Sequence, residues 1–313
     1  MSRATYITQR LMLMIPTAIG ITLVTFLMLH LIPGDPAVTM LGVRATPQRV
    51  AFLHREWGLN KPLIEQYWLF LTHVLTGNFG QSLFYNSSAT GIIIGDSALT
   101  LLLIVYAGFL AVLIAVPLAV LAATHKDRLA DQTVRAVPLV GMGMPSAWVG
   151  VMLILLLGLK THVFPVGGYG NQVLGHLYSL FLPSLTLALG IAPVLIRSLR
   201  SSLIDSLEAE YVATARSKGI PERRVLLRHA VRNAIISSVT ILGLQIAWLI
   251  SGTVVVETVF ALPGVGALMV NSIYRRDFPV VQGITFVLAL AVILTNLATD
   301  VLRSILDPRV RFE

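Results

Sequence analysis

The sequence predicts an all-α polytopic membrane protein, and its composition is the first observation that indicates this. Of its 313 residues, 56% are hydrophobic and only 12% are charged, against about 25% charged residues in an average soluble domain. The mean hydropathy is +0.81. Because so few charges could not cover the surface of a water-soluble domain, many apolar side chains must face lipid.

Six apolar stretches are close to the ~20 residues that a helix needs to cross a bilayer. They comprise residues 11–32, 98–123, 136–159, 180–196, 236–256 and 282–302. The first stretch follows Arg3 and Arg10 as a secretion signal would, but its apolar run is too long and no small-residue cleavage site follows. We therefore expect it to be retained as the first of six transmembrane helices.

The distribution of positive charge predicts the orientation of these helices. Sixteen of the 23 Lys and Arg residues fall in the two termini and in the second and fourth connections. The other seven fall in the alternate connections, and four of these lie in the long segment 33–97. Because cytoplasmic connections carry the excess of Lys and Arg, both termini are expected in the cytoplasm. The net charge of +8 thus reflects orientation, and we expect no nucleic acid partner.

Segment 33–97 is predicted to form a small helical cap outside the membrane. Thr46 precedes Pro47, and Asn60 lies shortly before Pro62. Each pair places a capping side chain near a proline that suits the first turn of a helix. Two cap helices are therefore expected to begin at these points.

The second cap helix is expected to bury an apolar face. The residues on this face are Leu63, Ile64, Tyr67, Leu71, Val74 and Leu75. Glu65 and Gln66 are expected to lie off it. Packing of the cap on the transmembrane helices accounts for such a face, and contact with a substrate or receptor is the alternative.

The connection 197–235, which we call the elbow, is longer than two neighbouring spans need. It carries eight Lys and Arg residues and four acidic residues. Its sequence predicts a helix from Glu208 to Lys218, a left-handed turn at Gly219 and a second helix from Pro221. Lys218 suits the negative end of the first helix dipole.

A basic amphipathic segment lying on anionic lipid is one interpretation of the elbow. It accounts for the arginines but not for the small residues Ala213, Ala215 and Gly219, which permit close packing in a cleft. A rigid elbow that a partner protein contacts is the alternative, and we prefer it.

Particular segments of the chain carry a family resemblance. The elbow contains Glu210-Tyr211-Val212-Ala213-Thr214-Ala215-Arg216-Ser217-Lys218-Gly219 and Leu227-Arg228-His229-Ala230-Val231-Arg232-Asn233-Ala234. These segments resemble the EAA-type coupling loop of binding-protein-dependent ABC importer permeases, in the dipeptide, oligopeptide, nickel and glutathione family. Supporting matches are Ile32-Pro33-Gly34-Asp35-Pro36, Gly58-Leu59-Asn60-Lys61-Pro62, Gly77-Asn78-Phe79-Gly80, Pro263-Gly264-Val265-Gly266, Arg276-Asp277-Phe278-Pro279-Val280-Val281-Gln282 and Asp307-Pro308-Arg309-Val310-Arg311.

The matches occur in order along essentially the whole chain, with two departures from the general motif. Ala213-Thr214 stands where Glu-Ala is commonest, and Arg232-Asn233 where Leu-Pro often closes the motif. Both are usual in the peptide and nickel family, so they narrow the resemblance.

The resemblance implies the ABC type I importer permease fold, with six transmembrane helices, an extracytoplasmic cap after the first, and a cytoplasmic coupling helix between the fourth and fifth. It divides the chain into a tail with the first helix (1–32), the cap (33–97), the transmembrane domain with its coupling loop 197–235 (98–303) and a cytoplasmic tail (304–313). The residues implied to contact a separate ATPase are Glu210, Tyr211, Ala213, Ala215, Arg216, Lys218, Gly219 and Ile220.

The resemblance also implies a set of partners. They are two ABC ATPase subunits, an extracytoplasmic solute-binding protein and a second homologous permease subunit, assembled in the inner membrane of a bacterium or archaeon. This chain has no phosphate-binding loop and no Gly-Lys dipeptide, so ATP and Mg are expected on the ATPase subunits. It has no cysteine, and its seven histidines are dispersed, so we expect no metal site, cofactor or enzymatic activity.

Two other classes of membrane protein are the alternatives to an ABC permease. An intramembrane enzyme would need paired catalytic groups at membrane depth, and a secondary transporter would need a charged relay or broken inverted repeats. The sequence offers neither feature.

Five residues within the spans are candidates for lining a translocation path, although helix packing also accounts for them. They are Met142, Met144, Trp148, Gln245 and Ser251. The cargo expected from the resemblance is a di- or oligopeptide. The short connection 161–179 and the segment Asp127-Arg128-Leu129-Ala130-Asp131 are more similar to nickel and glutathione members, so import of a nickel chelate or glutathione is the alternative.

Overall fold

The computed structural model describes residues 3–31, 34–170 and 172–306, and these are almost entirely helical. The α-helices are α1 Arg3–His30, α2 Pro36–Leu41, α3 Pro47–Glu56, α4 Leu63–Leu75, α5 Ala89–Thr124, α6 Leu129–Met142, α7 Ser146–Leu153, α8 Val173–Ser179, α9 Phe181–Leu207, α10 Glu210–Ser217, α11 Glu222–Arg224, α12 Arg232–Val259, α13 Val265–Tyr274 and α14 Phe278–Leu306. Two π-helical turns, Ile154–Lys160 and Val225–Val231, follow α7 and precede α12, and a 3₁₀ turn spans Gly42–Arg44. Strands β1 Gln81–Ser82 and β2 Ser87–Ser88 form a short antiparallel pair.

The chain divides into two compact units. One comprises Leu101–Leu262 with the described part of Leu294–Glu313, and it contains α6 to α12. The other comprises the described part of Ser2–Thr100 with Pro263–Ile293, and it contains α1 to α4, both strands and α13. Helices α5 and α14 contribute residues to both units.

The six predicted transmembrane stretches coincide with helices, but the helices differ in length and continuity. By length and composition, α5, α9, Ile241–Val259 of α12 and Phe278–Leu302 of α14 could each cross a membrane. Helices α6 and α7 pass the same test only when they are taken together with the π-helical turn that follows α7. The resulting span is bent by 105°. In α1 the apolar segment Met12–Met28 is shorter. The described residues therefore hold four uninterrupted candidate spans, or five with the bent pair.

The bend in the third predicted stretch lies at residues 143–145. Pro145 lacks a backbone N–H and its ring excludes the preceding helical carbonyl, so a helix cannot run through it unbroken. Pro145 instead occupies the N-cap position of α7. The third predicted stretch is therefore two helices with a break between Met142 and Ser146.

The cap confirms one predicted helix start and corrects the other. The Thr46 hydroxyl accepts a hydrogen bond from the backbone N–H of Arg49 at 3.4 Å, and α3 begins at Pro47. The predicted capping by Asn60 is wrong, because α4 begins at Leu63 and Pro62 itself occupies its N-cap position.

The predicted apolar face of α4 is partly confirmed, because Val74 is buried and Tyr67 and Leu71 are half-buried, but its edges are wrong. Gln66 is buried together with Val74, whereas Ile64 and Leu75 are 84% and 78% exposed. The side-chain oxygen of Gln66 lies 2.9 Å from His30 Nε2, and its amide nitrogen donates to two carbonyls of the preceding turn at 2.7 and 3.3 Å. Because its polar atoms are bonded, an amide can occupy this buried position.

Helix α9 lies at the centre of the unit that contains the elbow, where it packs against α6, α7 and α12. Glycines allow the helices of this unit to approach closely. A Cβ atom added to Gly190 of α9 would lie 2.7 Å from the Trp248 ring of α12. A Cβ added to Gly243 of α12 would lie 2.0 Å from Thr299 Oγ1 of α14. Neither position can hold a larger residue unless the facing side chain or the helices shift.

The contact of Gly243 with α14 predicts a specific loss of stability. Gly243→Ala forces a Cβ into Thr299, and overpacking of this kind costs about 1–3 kcal/mol. Gly108→Ala in α5 is the matched control, because a Cβ there meets no atom within 4 Å and alanine favours a helix. We expect a lower thermal unfolding midpoint in detergent for Gly243→Ala alone. Equal midpoints for the two variants would contradict this packing.

Candidate functional site

The elbow has the predicted helix, turn and helix, but its ends merge with longer helices. Its first residues extend α9 to Leu207, and α10 then forms the first helix of the elbow. After the turn, α11 and the π-helical turn Val225–Val231 continue directly into α12. The second half of the elbow is therefore the beginning of α12.

Gly219 forms the turn between the two halves of the elbow. Its φ angle is +73°, the left-handed region that the sequence predicts. The N–H of Gly219 donates to the Arg216 carbonyl at 2.9 Å, and the N–H of Ile220 donates to the Ala215 carbonyl at 3.3 Å. These two bonds form a Schellman motif, which satisfies the last carbonyls of α10 and fixes the direction of the chain after it.

A small apolar cluster holds the two halves of the elbow together. Val212 and Ala215 of α10 pack with Val225, and Ile220 of the turn packs against them. Val212 and Val225 are fully buried. Sequence reasoning did not select these two valines. For Val212 the available signal was its three-residue spacing from Ala215, which places both on one face of α10.

An ion pair also bridges the turn. Arg216 Nη2 donates to Glu222 Oε1 at 2.6 Å, and Arg216 Nε donates to Oε2 at 3.1 Å. Hydrogen bonding to Arg216 lowers the pKa of the Glu222 carboxyl, and the same bond raises the pKa of Arg216. Because both side chains are largely exposed, this pair contributes little to stability, and its main effect is to orient the two halves of the elbow.

The elbow exposes most of the residues predicted to contact an ATPase and buries others. The exposed ones are Glu210, Tyr211, Ala213, Arg216, Lys218 and Gly219. Ala215 is only 6% exposed, and Ile220 is half-buried. Ala215 and Ile220 therefore pack inside the elbow, where they support the surface that the other six residues form.

The five predicted pathway residues lie in the same compact unit as the elbow, and none of them is buried. Met142, Met144 and Trp148 flank the break between α6 and α7 and are 46%, 38% and 49% exposed. On α12, Ser251 is exposed and Gln245 is half-buried.

Ser251 lies on an exposed face of α12. The other members of this face are Leu244, Trp248 and Val255. Sequence reasoning missed these three residues, although their spacing of four, three and four along a helix was the signal.

The fold and the elbow together define a polytopic membrane component of a transport system. The family of binding-protein-dependent transport system inner membrane components matches residues 115–312. The N-terminal family of such membrane components matches residues 3–91. The chain belongs to this family and is the permease subunit of a binding-protein-dependent ABC importer, which confirms the resemblance seen in the sequence.

Relatives named for glutathione, dipeptide and oligopeptide transport are similar along nearly their whole length. The glutathione transport system permease protein of Salmonella typhimurium (strain LT2) is 36% identical over 98% of this chain and 99% of its own. The dipeptide transport system permease protein of Escherichia coli (strain K12) is 36% identical over 98% of both chains. The oligopeptide transport system permease protein of Bacillus subtilis (strain 168) is 35% identical over 99% of this chain and 100% of its own.

Solved structures of ABC transporters share the fold. The methionine ABC transporter MetNI, in inward-facing conformations, matches 69% of this chain and 96% of its own with a TM-score of 0.54 and 16% identity. An amino acid ABC transporter solved with histidines matches 71% of this chain and 95% of its own with a TM-score of 0.51.

Proposed function

We propose that this permease imports short peptides and that the elbow couples import to ATP hydrolysis by separate subunits. The observation that carries this proposal is an exposed elbow that its own apolar cluster, Schellman motif and ion pair hold rigid, and whose second half continues into α12. In the proposal, the contact surface for the ATPase comprises Glu210, Tyr211, Ala213, Arg216, Lys218 and Gly219, while Ala215 and Ile220 support it from within. A braced elbow transmits displacement, whereas a loose loop would absorb it.

The proposed transport cycle divides the work among several chains. A solute-binding protein delivers the solute outside the membrane, and two ATPase subunits bind ATP and Mg inside. Their closure displaces the elbow and switches the permease between inward-facing and outward-facing states. A second, homologous permease subunit completes the pathway, and the exposed face of α12 that contains Ser251 is available for it.

The proposed orientation places both termini and the elbow in the cytoplasm. It is supported by the sixteen Lys and Arg residues in the termini and connections assigned to that side, eight of them in the elbow. The cap then lies outside the inner membrane, on the side from which a solute-binding protein approaches.

The proposed cargo is a short peptide, because the glutathione and dipeptide relatives are equally similar at 36% identity and glutathione is itself a short peptide. Import of a nickel chelate is the alternative, favoured only by the segments 127–131 and 161–179. Ligand screening of the cognate solute-binding protein against dipeptides, oligopeptides, glutathione and chelated Ni²⁺ tests the cargo. We expect retention of one of the peptide probes. Retention of chelated nickel alone would overturn the peptide assignment.

The absence of cysteine from the natural sequence allows a clean labelling test of the elbow. In inside-out vesicles, a Lys218→Cys variant should react with a membrane-impermeant maleimide and should be protected when the ATPase subunits are bound. Ala215→Cys is the matched control, because this position is 6% exposed and should react slowly in both conditions. Equal labelling of Lys218→Cys with and without ATPase subunits would contradict the docking assignment.

The turn at Gly219 predicts a transport defect with a matched control elsewhere in the chain. Gly219→Pro cannot adopt φ +73° and removes the N–H that bonds to Arg216. Gly77 ends α4 with φ +68° and the same pair of bonds, from Gly77 to Val74 at 3.0 Å and from Asn78 to His73 at 2.9 Å.

Both proline variants therefore carry the same local defect, one in the elbow and one in the cap. We expect Gly219→Pro to insert in the membrane but to lose co-purification of the ATPase and solute uptake. Gly77→Pro should retain the ATPase. Normal uptake by Gly219→Pro would exclude the elbow from coupling.

A further inference from the structure

A buried ion pair joins the first turn of α6 to the start of the elbow. The side chain of Asp131 in α6 is fully buried, and that of Arg200 in α9 is 16% exposed. Arg200 Nε donates to Asp131 Oδ1 at 2.5 Å, and Arg200 Nη2 donates to Oδ2 at 2.6 Å. The backbone N–H of Asp127 donates a further bond to Oδ2 at 3.0 Å. The Asp131 carboxylate thus accepts three hydrogen bonds, two of them from one guanidinium.

A second ion pair lies between the same two regions but at the surface. Lys126 Nζ lies 2.6 Å from Glu208 Oε1, and the two side chains are 47% and 63% exposed. Because water screens such a pair and its long side chains must be ordered, it contributes little. It therefore provides a natural comparison for the buried pair.

Stability alone does not account for the pair of Asp131 and Arg200. Removing two charges from water is costly, and replacement of a buried ion pair by apolar residues of similar volume is often neutral or stabilising. Apolar packing between α6 and α9 is non-directional and permits small rotations. A guanidinium bonded to a carboxylate by two parallel hydrogen bonds fixes both distance and orientation.

We propose that Asp131 and Arg200 are positioning residues that hold α6 in a fixed orientation to the elbow. When the elbow moves, α6 moves with it and carries the displacement to the break at residues 143–145, beside Met142 and Met144. The inference rests on the proposed function of the elbow as the ATPase contact. It adds a second route by which the elbow acts, besides its direct continuation into α12.

The test uses the complete importer in lipid nanodiscs and follows the break directly. A bimane fluorophore on Met144→Cys, the only cysteine in this chain, reports the environment of the break before and after addition of ATP, Mg²⁺ and vanadate. We expect a shift in emission in the parent. Absence of a shift in the parent would overturn the proposal, because the break would then not move with the ATPase.

The decisive variant is the double substitution Asp131→Leu and Arg200→Met, which removes both charges and leaves neither one buried alone. We expect an unchanged or higher thermal midpoint, retained ATPase subunits and loss of most of the emission shift. A merely structural pair would instead leave the shift unchanged, and that result would overturn the proposal.

Arg200→Lys keeps the charge but cannot form two parallel hydrogen bonds to the carboxylate. It is expected to give an intermediate loss of the shift, and it serves if the double variant does not fold.

The matched control is Lys126→Gln with Glu208→Gln, which removes the surface pair between the same regions. We expect it to keep the full emission shift, and an equal loss in this variant would overturn the specific role of the buried pair. The labelling of Lys218→Cys separates the two hypotheses. Protection of Lys218→Cys with an unchanged shift in the double variant overturns only the positioning role, whereas unprotected Lys218→Cys overturns the proposed function of the elbow.

Discussion

The close packing of α9 against α12 is the constraint on which the elbow depends, because the elbow is the connection between these two helices. Gly190 and Gly252 provide the space, since a Cβ on either would meet Trp248 or Leu187 at less than 3 Å. Small residues at such contacts are how membrane helices approach closely where no hydrophobic effect drives them together. The direction in which the elbow leaves α9 and returns to α12 is set by this contact.

Three interactions of different strength hold the elbow together, and each has a different effect. Burial of Val212 and Val225 supplies most of the stabilisation, at roughly 1.5–3 kcal/mol for a fully buried side chain of this kind. The Schellman motif at Gly219 fixes the angle between the two halves. The exposed pair of Arg216 and Glu222 orients the two halves and contributes little to the free energy of unfolding. A rigid surface results from apolar burial, and exposed polar residues of the elbow point away from the buried cluster.

Local signals in the sequence were reliable where the physics is local. Thr46 caps its helix and Gly219 adopts the left-handed turn, because each depends on atoms within a few residues. The face of α4 was only partly right, because the burial of Gln66 depends on His30, 36 residues away, which bonds to the Gln66 amide. Asn60 does not cap α4 because Pro62 occupies the N-cap position, and the local sequence alone does not decide between these two residues.

By itself, the sequence determined the apolar stretches, their charge asymmetry, the turn at Gly219 and the family to which the chain belongs. These follow from hydropathy, short-range backbone preferences and motif order. Only the tertiary structure decided which elbow residues face outward, that the third stretch bends by 105°, and that Arg200 reaches Asp131. The last two residues are 69 positions apart, and no local pattern pairs them. Their contact exists because packing of α6 on α9 buries the acid, and a buried carboxylate is costly unless it is paired and hydrogen-bonded.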